Sequence, residues 1–335
     1  MEFTARKDLG KKETHDQFNG KWLDETSYED VVSSIGVKDD IIRIHKPSGS
    51  LFEKPLLACI VKNAYKGDTY NEVKDTLYSI DDTSTMRANA AGPIDHEEMK
   101  SKGLIEGKDY VLRTSNSYYP LKKNGEFNRI AEANAIHSVF AGYKRGRFTG
   151  MIGLSNWCEK KSNVDKWEKM QQIAQINEEA LKKGCPDIWK LQRTYADECI
   201  DEKYHLGGAP ITTLSANRYS SEGTAKMSAH VDGKDLEFGM TTMCVFRLGN
   251  FGGAYLVFPR YGIAIEADDG DVLIADSNEI HGVTKIEGDG IRLSCVAYCS
   301  TDVATKGQGG KSEKAIGPHK SKYEESGSLE AFLDV

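Results

Sequence analysis

Two histidines and an aspartate in the second half of the chain form a pattern that could bind a transition metal. His230 and Asp232 are separated by one residue, and His281 follows further along. In a β-strand, residues i and i+2 point to the same side, so His230 and Asp232 can both turn inward while another strand supplies His281. Two imidazoles and one carboxylate suit non-haem Fe(II) and leave positions for a co-substrate and O₂. The spacing predicts an iron centre; zinc or manganese in a cupin-like barrel is the alternative.

An arginine and a serine downstream of these residues could bind an organic acid. Arg292 and Ser294 lie in the sequence Gly290-Ile-Arg-Leu-Ser294 and would share one face of a strand. A guanidinium grips a carboxylate through two parallel hydrogen bonds, and a neighbouring hydroxyl adds a further donor. This pair predicts a site for a 2-oxo acid that would reach the metal with its other end.

The region that carries these residues has the texture of a β-barrel. From about Ile211, short β-branched and aromatic runs alternate with Gly, Asp and Asn. Runs at such spacing are typical of a jelly roll. The predicted strands are Met240–Leu248, Ala254–Phe258, Gly262–Glu266, Asp271–Ala275, Val283–Ile286 and Ile291–Tyr298.

The first half of the chain has a mixed α/β pattern. Short apolar runs predict strands at Ile41–Ile44, Leu56–Val61 and Tyr110–Arg113. Apolar residues at helical spacing predict a helix over Phe127–Phe140. Two further helices are predicted before the β-rich region, the second opened by Pro186.

These patterns divide the chain into four parts. We expect an N-terminal α/β part at 1–150, support helices at 151–205, a catalytic β-core at 206–301 and a flexible tail at 302–335. The fold class expected is α+β, with a jelly-roll core backed by helices.

Composition restricts the setting and the partners. The formal net charge is −7, so binding to nucleic acid would need a local basic patch. Lys144, Arg145 and Arg147 form such a cluster. The seven cysteines include no C-x-x-C pair, and no stretch approaches the roughly 20 apolar residues of a membrane span. We expect an intracellular monomer that is not bound to a membrane: nuclear in a eukaryote, cytoplasmic in a microbe or virus-infected cell.

The β-rich region resembles the TET/JBP group of Fe(II)/2-oxoglutarate oxygenases, which oxidise 5-methylcytosine or thymine in DNA. The likeness runs from about Thr213 to Thr301, and a weaker one covers Met86–Gly92 and Asn134–Thr149. The segments that carry it are Asn217-Arg-Tyr219, Met227–Asp235, Gly239–Met243, Gly252–Pro259, Gly270–Val272, His281-Gly282 and Gly290–Ser294.

The resemblance implies a double-stranded β-helix and a role for each matching residue. Iron would bind His230, Asp232 and His281, and 2-oxoglutarate would be clamped by Arg292 with help from Ser294. Asn217, Tyr219 and Asp235 would line the pocket. Asp235 also fits an algal branch that uses ascorbate, so this co-substrate is an alternative.

The reaction implied is oxidation of a pyrimidine 5-methyl group in DNA. Reaching that methyl requires the base to flip out of the duplex, so phosphate and base contacts are expected. Candidates are Arg87 and Asn89 near the site, and the basic cluster of Lys144, Arg145 and Arg147. The same chemistry on a protein side chain or a small metabolite is the main alternative, favoured by the acidic net charge; a non-catalytic binding barrel is another.

Overall fold

The structure of the protein is a computed structural model that describes residues 1–47, 55–128, 130–146 and 150–304. The strands, in chain order, are β1 Glu2–Thr4, β2 Asp30–Ser33, β3 Ile41–His45, β4 Leu56–Val61, β5 Tyr110–Thr114, β6 Ser117–Pro120, β7 Ser138–Arg145, β8 Ile152–Leu154, β9 Thr213–Ser220, β10 Met227–His230, β11 Thr241–Leu248, β12 Gly252–Gly253, β13 Leu256–Phe258, β14 Ile263–Glu266, β15 Val272–Ala275, β16 His281–Val283, β17 Ile286–Glu287 and β18 Ile291–Tyr298. The α-helices are α1 Lys11–Phe18, α2 Gly67–Tyr78, α3 His96–Ser101, α4 Asn156–Glu159, α5 Val164–Gly184 and α6 Pro186–Cys199.

Two sheets face each other across the core. The major sheet has the order β1-β3-β4-β15-β11-β18-β9-β7-β8, and the minor sheet has the order β10-β16-β13-β14-β2. Within them, β9-β18-β11-β15 and β10-β16-β13-β14 form the two four-stranded halves of a jelly roll. Chain order therefore alternates between the two halves, except for the β13–β14 hairpin within the minor sheet, as in a double-stranded β-helix. The predicted α+β fold with this core is confirmed. Five of the six predicted strands lie on observed ones, but the strand predicted over Val283–Ile286 is wrong, because Val283 ends β16 and Ile286 begins β17.

The major sheet separates two hydrophobic cores, one on each of its faces. Its outer face packs against α5, where Met170, Ile173 and Leu181 meet Cys244 and Phe246 of β11. Its inner face packs against the minor sheet, with Val245, Leu273, Leu256, Phe258 and Ile265 in one buried cluster. Strand residues alternate between faces, so β11 and β18 contribute to both cores. The inner core is the one that surrounds the predicted metal ligands.

The helices that support the major sheet begin and end near the predicted residues. Pro186 opens α6, where its missing N–H costs nothing because first-turn N–H groups lack helical partners. Gly184 is the last residue of α5. A Cβ there would lie 3.0 Å from Cys59, Val61 and Ile274, so the glycine allows α5 to pack closely on the sheet.

The helix predicted over Phe127–Phe140 is wrong. Ser138–Arg145 is strand β7, and the residues before it form isolated bridges, Ser84 with Ile136 and Tyr118 with Glu132. Phe127, which the helical pattern would bury, is 57% exposed. The helical apolar spacing did not predict the structure, because Ser138–Gly142 of β7 pair with Thr213–Asn217 of β9 and so satisfy their main-chain groups in a sheet.

Residues 1–150 supply strands to both sheets. β3 and β4 extend the major sheet beyond β15, and β2 pairs in parallel with β14 in the minor sheet. Most of the predicted tail, from residue 305 onward, lies outside the described residues. All seven cysteines are buried and none forms a disulfide. Among the described helices, none has the length and apolar character that crossing a bilayer requires.

Candidate metal centre

His230, Asp232 and His281 meet at one end of the space between the sheets. His230 ends β10 and His281 begins β16, and the two are direct cross-strand partners. Asp232 lies in the turn after β10; its Oδ1 is 3.7 Å from His230 Nε2, and its Oδ2 is 3.7 Å from His281 Nε2. All ligand atoms lie within 4.8 Å of one another. Both 3.7 Å separations are below twice a metal–ligand bond of about 2.1 Å, so one ion can bridge these atoms.

Main-chain carbonyls orient both imidazoles. His230 Nδ1 lies 2.8 Å from the carbonyl oxygen of Ser228, and His281 Nδ1 lies 2.9 Å from that of Glu279. Each carbonyl fixes the proton on Nδ1 and leaves the lone pair of Nε2 directed at the site. The donor set is therefore prepared for a divalent cation.

The electrostatics of the site also favour a metal ligand. Burial lowers the pKa of His230 to about 4, and the neighbouring His281 acts in the same direction. Asp232 opposes the shift without reversing it. The neutral imidazole that a metal requires is thus the form present near pH 7.

Arg292 lies on the inner face of β18, within the same inter-sheet space. The residue is 4% exposed, its Cζ is 5.2 Å from the centre of the Tyr219 ring, and its Nη2 is 3.7 Å from Met243 Sδ. Nη1 is buried and has no hydrogen-bond partner among the described residues. Burial lowers the pKa of the guanidinium, although Tyr219 opposes the shift. A buried cation with an unpaired N–H donor destabilises the folded protein unless an anion binds to it.

Two predicted pocket residues continue this polar surface. Asn217 on β9 is the direct cross-strand partner of Ser294 on β18, so both point to the inner face. Ser294 Oγ and Asn217 Oδ1 are buried without a partner among the described residues. Ser138 on β7 pairs with Asn217 in turn, and its Oγ is in the same state. Unsatisfied polar atoms on three adjacent strands are rare and mark a place for a polar ligand or water.

A cavity joins the metal ligands to the inner face of the major sheet. Its volume is about 50 Å³, enough for more than one water-sized group. Asp232 and His281 form one end, and Met243, Leu273 and Val296 form apolar walls. Because Arg292 contacts Met243, an acid anchored at the guanidinium could extend through this space toward the metal ligands.

Asp235 has structural partners that sequence reasoning did not provide. Its side chain is buried, and its Oδ2 accepts hydrogen bonds from Thr241 Oγ1 and from Ser277 Oγ, the latter at 2.6 Å. Its N–H donates to the carbonyl of Asp232 at 3.2 Å. The carboxylate therefore fixes the turn that carries the metal-ligating aspartate, in addition to lying near the cavity.

Arg87 and Asn89 lie on a segment that contacts β9 and β10. Arg87 donates to Ser215 Oγ on the inner face of β9, and its charge acts on His230 and Tyr219. Asn89 is exposed, and its carbonyl accepts a hydrogen bond from Ser228 Oγ. The segment that carries both residues is therefore attached directly to β10.

The basic cluster predicted to contact DNA is only partly available. Lys144 is partly exposed and lies 3.3 Å from Asn156 Oδ1. Arg145 donates to the carbonyls of Gly150, Asp302 and Ala304, at 2.6, 3.0 and 2.9 Å. These bonds fasten the chain after β18 to β7 and give Arg145 a structural role, while its contact with DNA stays a prediction. Arg147 lies outside the described residues.

Tyr298, at the end of β18, is a neighbour of the centre that the motifs did not indicate. Burial raises the pKa of its hydroxyl well above the usual range, and the Asp235 and Asp232 carboxylates act in the same direction. Its alternation with Arg292 and Ser294 along β18 was the available signal.

Comparison with known proteins agrees with this geometry. Residues 156–301 match the Tet_JBP family, described as the oxygenase domain of the 2OGFeDO superfamily. Thymine dioxygenase JBP1 of Trypanosoma brucei brucei is 26% identical over 150 residues, which cover 42% of this chain. The bifunctional helicase and thymine dioxygenase JBP2 of Trypanosoma cruzi is 30% identical over 184 residues, which cover 50%.

These matches have a limited extent. They cover 17% of the length of the JBP1 relative and 16% of that of JBP2. Among solved structures, NgTET1 in complex with 5mC DNA is similar at a TM-score of 0.47 and 15% identity, covering 83% of this chain and 84% of that one.

Proposed function

We propose that this chain, whose residues 156–301 match the Tet_JBP model of a 2OGFeDO oxygenase domain, is an Fe(II)/2-oxoglutarate-dependent dioxygenase that oxidises the 5-methyl group of a pyrimidine in DNA. The observation that carries the proposal is the convergence of His230, Asp232 and His281 beside a buried guanidinium with an unused donor. We further propose residues 206–301 as the catalytic core, with residues 1–150 and 151–205 supporting it.

Each residue of the site has a part in this reaction. Bound iron, with 2-oxoglutarate and O₂, would supply the oxidising power that inserts oxygen into a C–H bond. His230 and His281 would hold the ion through Nε2, and Asp232 through its carboxylate. With its side chain 31% exposed, Asp232 faces the opening, where a substrate would approach.

The co-substrate we propose is 2-oxoglutarate, with ascorbate as the alternative. Arg292 would bind the distal carboxylate of 2-oxoglutarate, which would give Nη1 the hydrogen-bond acceptor that it lacks. Ser294 would donate a further hydrogen bond from its hydroxyl. Asn217 would support that hydroxyl from the neighbouring strand. Met243, Leu273 and Val296 would exclude water along the carbon chain. A cavity of about 50 Å³ whose Met243 wall contacts the Arg292 guanidinium favours a linear diacid over a bulky ring.

A DNA base is the substrate we propose, with thymine and 5-methylcytosine both compatible. The thymine dioxygenase names of the relatives support this class. Arg87 and Asn89, on the segment attached to β10, would contact the flipped nucleotide, with Lys144 near the phosphates. Such a substrate would place the protein with the genome, as a monomer in the nucleus of a eukaryote or the cytoplasm of a microbe.

A second candidate is the same chemistry on a protein side chain or a small metabolite. The hydrogen bonds of Arg145 favour it, because they remove one cation from the expected DNA surface. The net charge of −7 acts in the same direction. The experiment below separates the two candidates.

The test is a conversion assay on purified protein with Fe(II), 2-oxoglutarate and duplex DNA containing thymine or 5-methylcytosine. Digestion and mass spectrometry of the nucleosides should reveal a product heavier by one oxygen. Replacing 2-oxoglutarate with ascorbate identifies the co-substrate. Consumption of 2-oxoglutarate without a modified nucleoside would favour a protein or small-metabolite substrate. Consumption of neither 2-oxoglutarate nor ascorbate would contradict the oxygenase assignment.

Arg292→Gln tests the co-substrate site separately. Loss of the buried ion pair should weaken 2-oxoglutarate binding by about 2 kcal/mol or more, seen as a raised KM. The matched control is Arg247→Gln on the facing position of β11, because that guanidinium already lies 3.6 Å from Glu266 and donates to the Phe251 carbonyl. Equal effects of the two variants would argue against Arg292 as the anchor.

A further inference from the structure

A group of buried charges is linked to the metal centre through Glu279, whose carbonyl contacts His281. Glu279 is its hub: Oε1 accepts from Lys46 Nζ at 2.9 Å, Tyr261 Oη at 3.0 Å and Arg260 Nη1 at 3.1 Å. Lys46 also reaches Asp276 Oδ2 at 3.0 Å, and Arg260 reaches both oxygens of Asp8 at 2.7 and 3.0 Å.

The charges around Glu279 are almost completely removed from solvent, whereas Asp8 at the edge of the group is 35% exposed. Side-chain exposure is 6% for Lys46, 4% for Glu279 and 6% for Arg260. Burying an ion costs several kcal/mol unless partners compensate it, and a buried pair is often no more stabilising than well-packed apolar residues. Stabilisation of the fold is therefore a weak explanation for such a cluster. Fixing one local geometry is a role that buried ion pairs can fulfil.

The geometry fixed here is that of the turn Asp276–Glu279, between β15 and β16. Glu279 holds the His281 imidazole through its main-chain carbonyl at 2.9 Å. Ser277, in the same turn, accepts the main-chain N–H of Asp232 at 3.1 Å. Two of the three ligands thus take their positions from a turn of four residues, and Lys46, Arg260 and Tyr261 fasten that turn.

We propose that Glu279 is a positioning residue for the metal centre, held by Lys46, Arg260 and Tyr261 so that its carbonyl directs His281 and the adjacent Ser277 directs Asp232. The residues that fasten it come from distant parts of the chain: Lys46 follows β3, and Arg260 is itself tied to Asp8. The N-terminal segment therefore contributes to metal affinity although it supplies no ligand. The inference rests on the proposed function in one respect, which is that the three ligands bind a divalent metal.

Glu279→Gln tests it, with Co(II) as the probe because its visible bands report both affinity and coordination geometry. The variant keeps the main-chain carbonyl and the side-chain size but removes the charge that Lys46 and Arg260 compensate. Co(II) Kd should rise about 10-fold, the lower end of effects seen when groups that orient metal ligands are changed, with altered visible bands.

Asp271→Asn is the matched control, at the opposite end of β15. Its carboxyl is equally buried and accepts hydrogen bonds from Ser34 Oγ at 2.6 Å and from the Asn63 N–H at 2.9 Å, but it contacts no ligand-bearing turn. Co(II) Kd should stay within about twofold, because distant sites do not couple. Urea unfolding of both variants reports how much stability each has lost.

Three outcomes are decisive. A Kd that rises in Glu279→Gln and not in Asp271→Asn supports the inference. An unchanged Kd in Glu279→Gln, or equal rises in both variants, overturns it while wild-type Co(II) binding leaves the metal assignment intact. Wild-type protein that binds no Co(II) contradicts the proposed function itself. If Glu279→Gln does not fold, Tyr261→Phe removes one hydroxyl donor and no charge, and it should raise Kd by a smaller factor.

Discussion

The two histidines of the metal centre lie on neighbouring strands, but different interactions hold them in place. Each histidine with the residues that hold it is called an arm here. His230 is held by the carbonyl of Ser228, whose hydroxyl and N–H donate to the carbonyls of Asn89 and Ala90. His281 is held by the carbonyl of Glu279, whose side chain is fixed by buried cations.

The His230 arm is therefore held by neutral hydrogen bonds, and the His281 arm by buried charges. Neutral hydrogen bonds contribute about 1 kcal/mol each, while breaking a buried ion pair costs several times more. The neutral arm connects to the segment with Arg87 and Asn89, beside the proposed substrate. The charged arm connects to the N-terminal segment. The centre therefore has neutral hydrogen bonds on the side near the proposed substrate and buried ion pairs on the other side.

The largest effects should come from removing the ligands themselves, and here the arms should be equal. His230→Ala and His281→Ala should each reduce nucleoside oxidation to the level of a reaction without enzyme, since the metal site needs all three ligands. Mass spectrometry of digested DNA measures this. His96→Ala, at an exposed position on α3, is the control and should retain activity. Full activity in either variant would show that the replaced histidine is not a required metal ligand, and the comparison of the two arms would lose its basis.

The charged arm should then prove far more important for stability. Lys46→Met leaves the Asp276 and Glu279 carboxylates without their shared cation and should lower the free energy of unfolding by about 3–5 kcal/mol. Urea denaturation is the measurement. Lys102→Met, which breaks an exposed pair with Glu98, should cost less than about 1 kcal/mol. Similar losses in the two variants would mean that the buried group is not an anchor.

Acid should act on the metal-free centre through His230. Its pKa is about 4 in the folded protein and 6.5 when unperturbed, so the unfolded chain binds more protons between those values. Stability is therefore complete above pH 6.5 and falls as the pH drops toward 4, by roughly 2–3 kcal/mol. His230→Gln should remove that part of the pH dependence, measured by urea unfolding across the window. An unchanged slope would show that the imidazole is not buried in its neutral form.

The smallest effect should come from the neutral arm. Ser228→Ala removes the hydroxyl bond to the Asn89 carbonyl and should cost about 1 kcal/mol of unfolding free energy. Because that bond attaches the segment with Arg87, we also expect a higher KM for DNA with little change in Co(II) affinity. Ser101→Ala, which loses an exposed hydroxyl bond to the Glu98 carbonyl, is the control. A larger effect on metal affinity than in Glu279→Gln would reverse the assignment of the two arms.

Local periodicity made the faces of the strands predictable from the sequence. Arg292 and Ser294 share the inner face of β18, because side chains in a strand alternate whatever the rest of the fold does. The His230–Asp232 spacing predicted two ligands from one strand end, and Asp232 lies just past that end. The same kind of reasoning failed over 127–140, where a helical apolar spacing lies next to a strand stabilised by β9.

Tertiary structure alone decided which faces meet. The cross-strand register of His230 with His281 depends on the order of strands in the minor sheet, which no local pattern encodes. Lys46, Arg260 and Glu279 are far apart in the chain, and nothing in their flanking residues indicates that they converge. In the sequence Arg145 is one of three clustered cations, and only the fold brings the Asp302 carbonyl, which follows β18, to its guanidinium. Periodicity is a property of neighbours along the chain, whereas a metal centre and its supports are made by contacts between segments that only the folded sheets bring together.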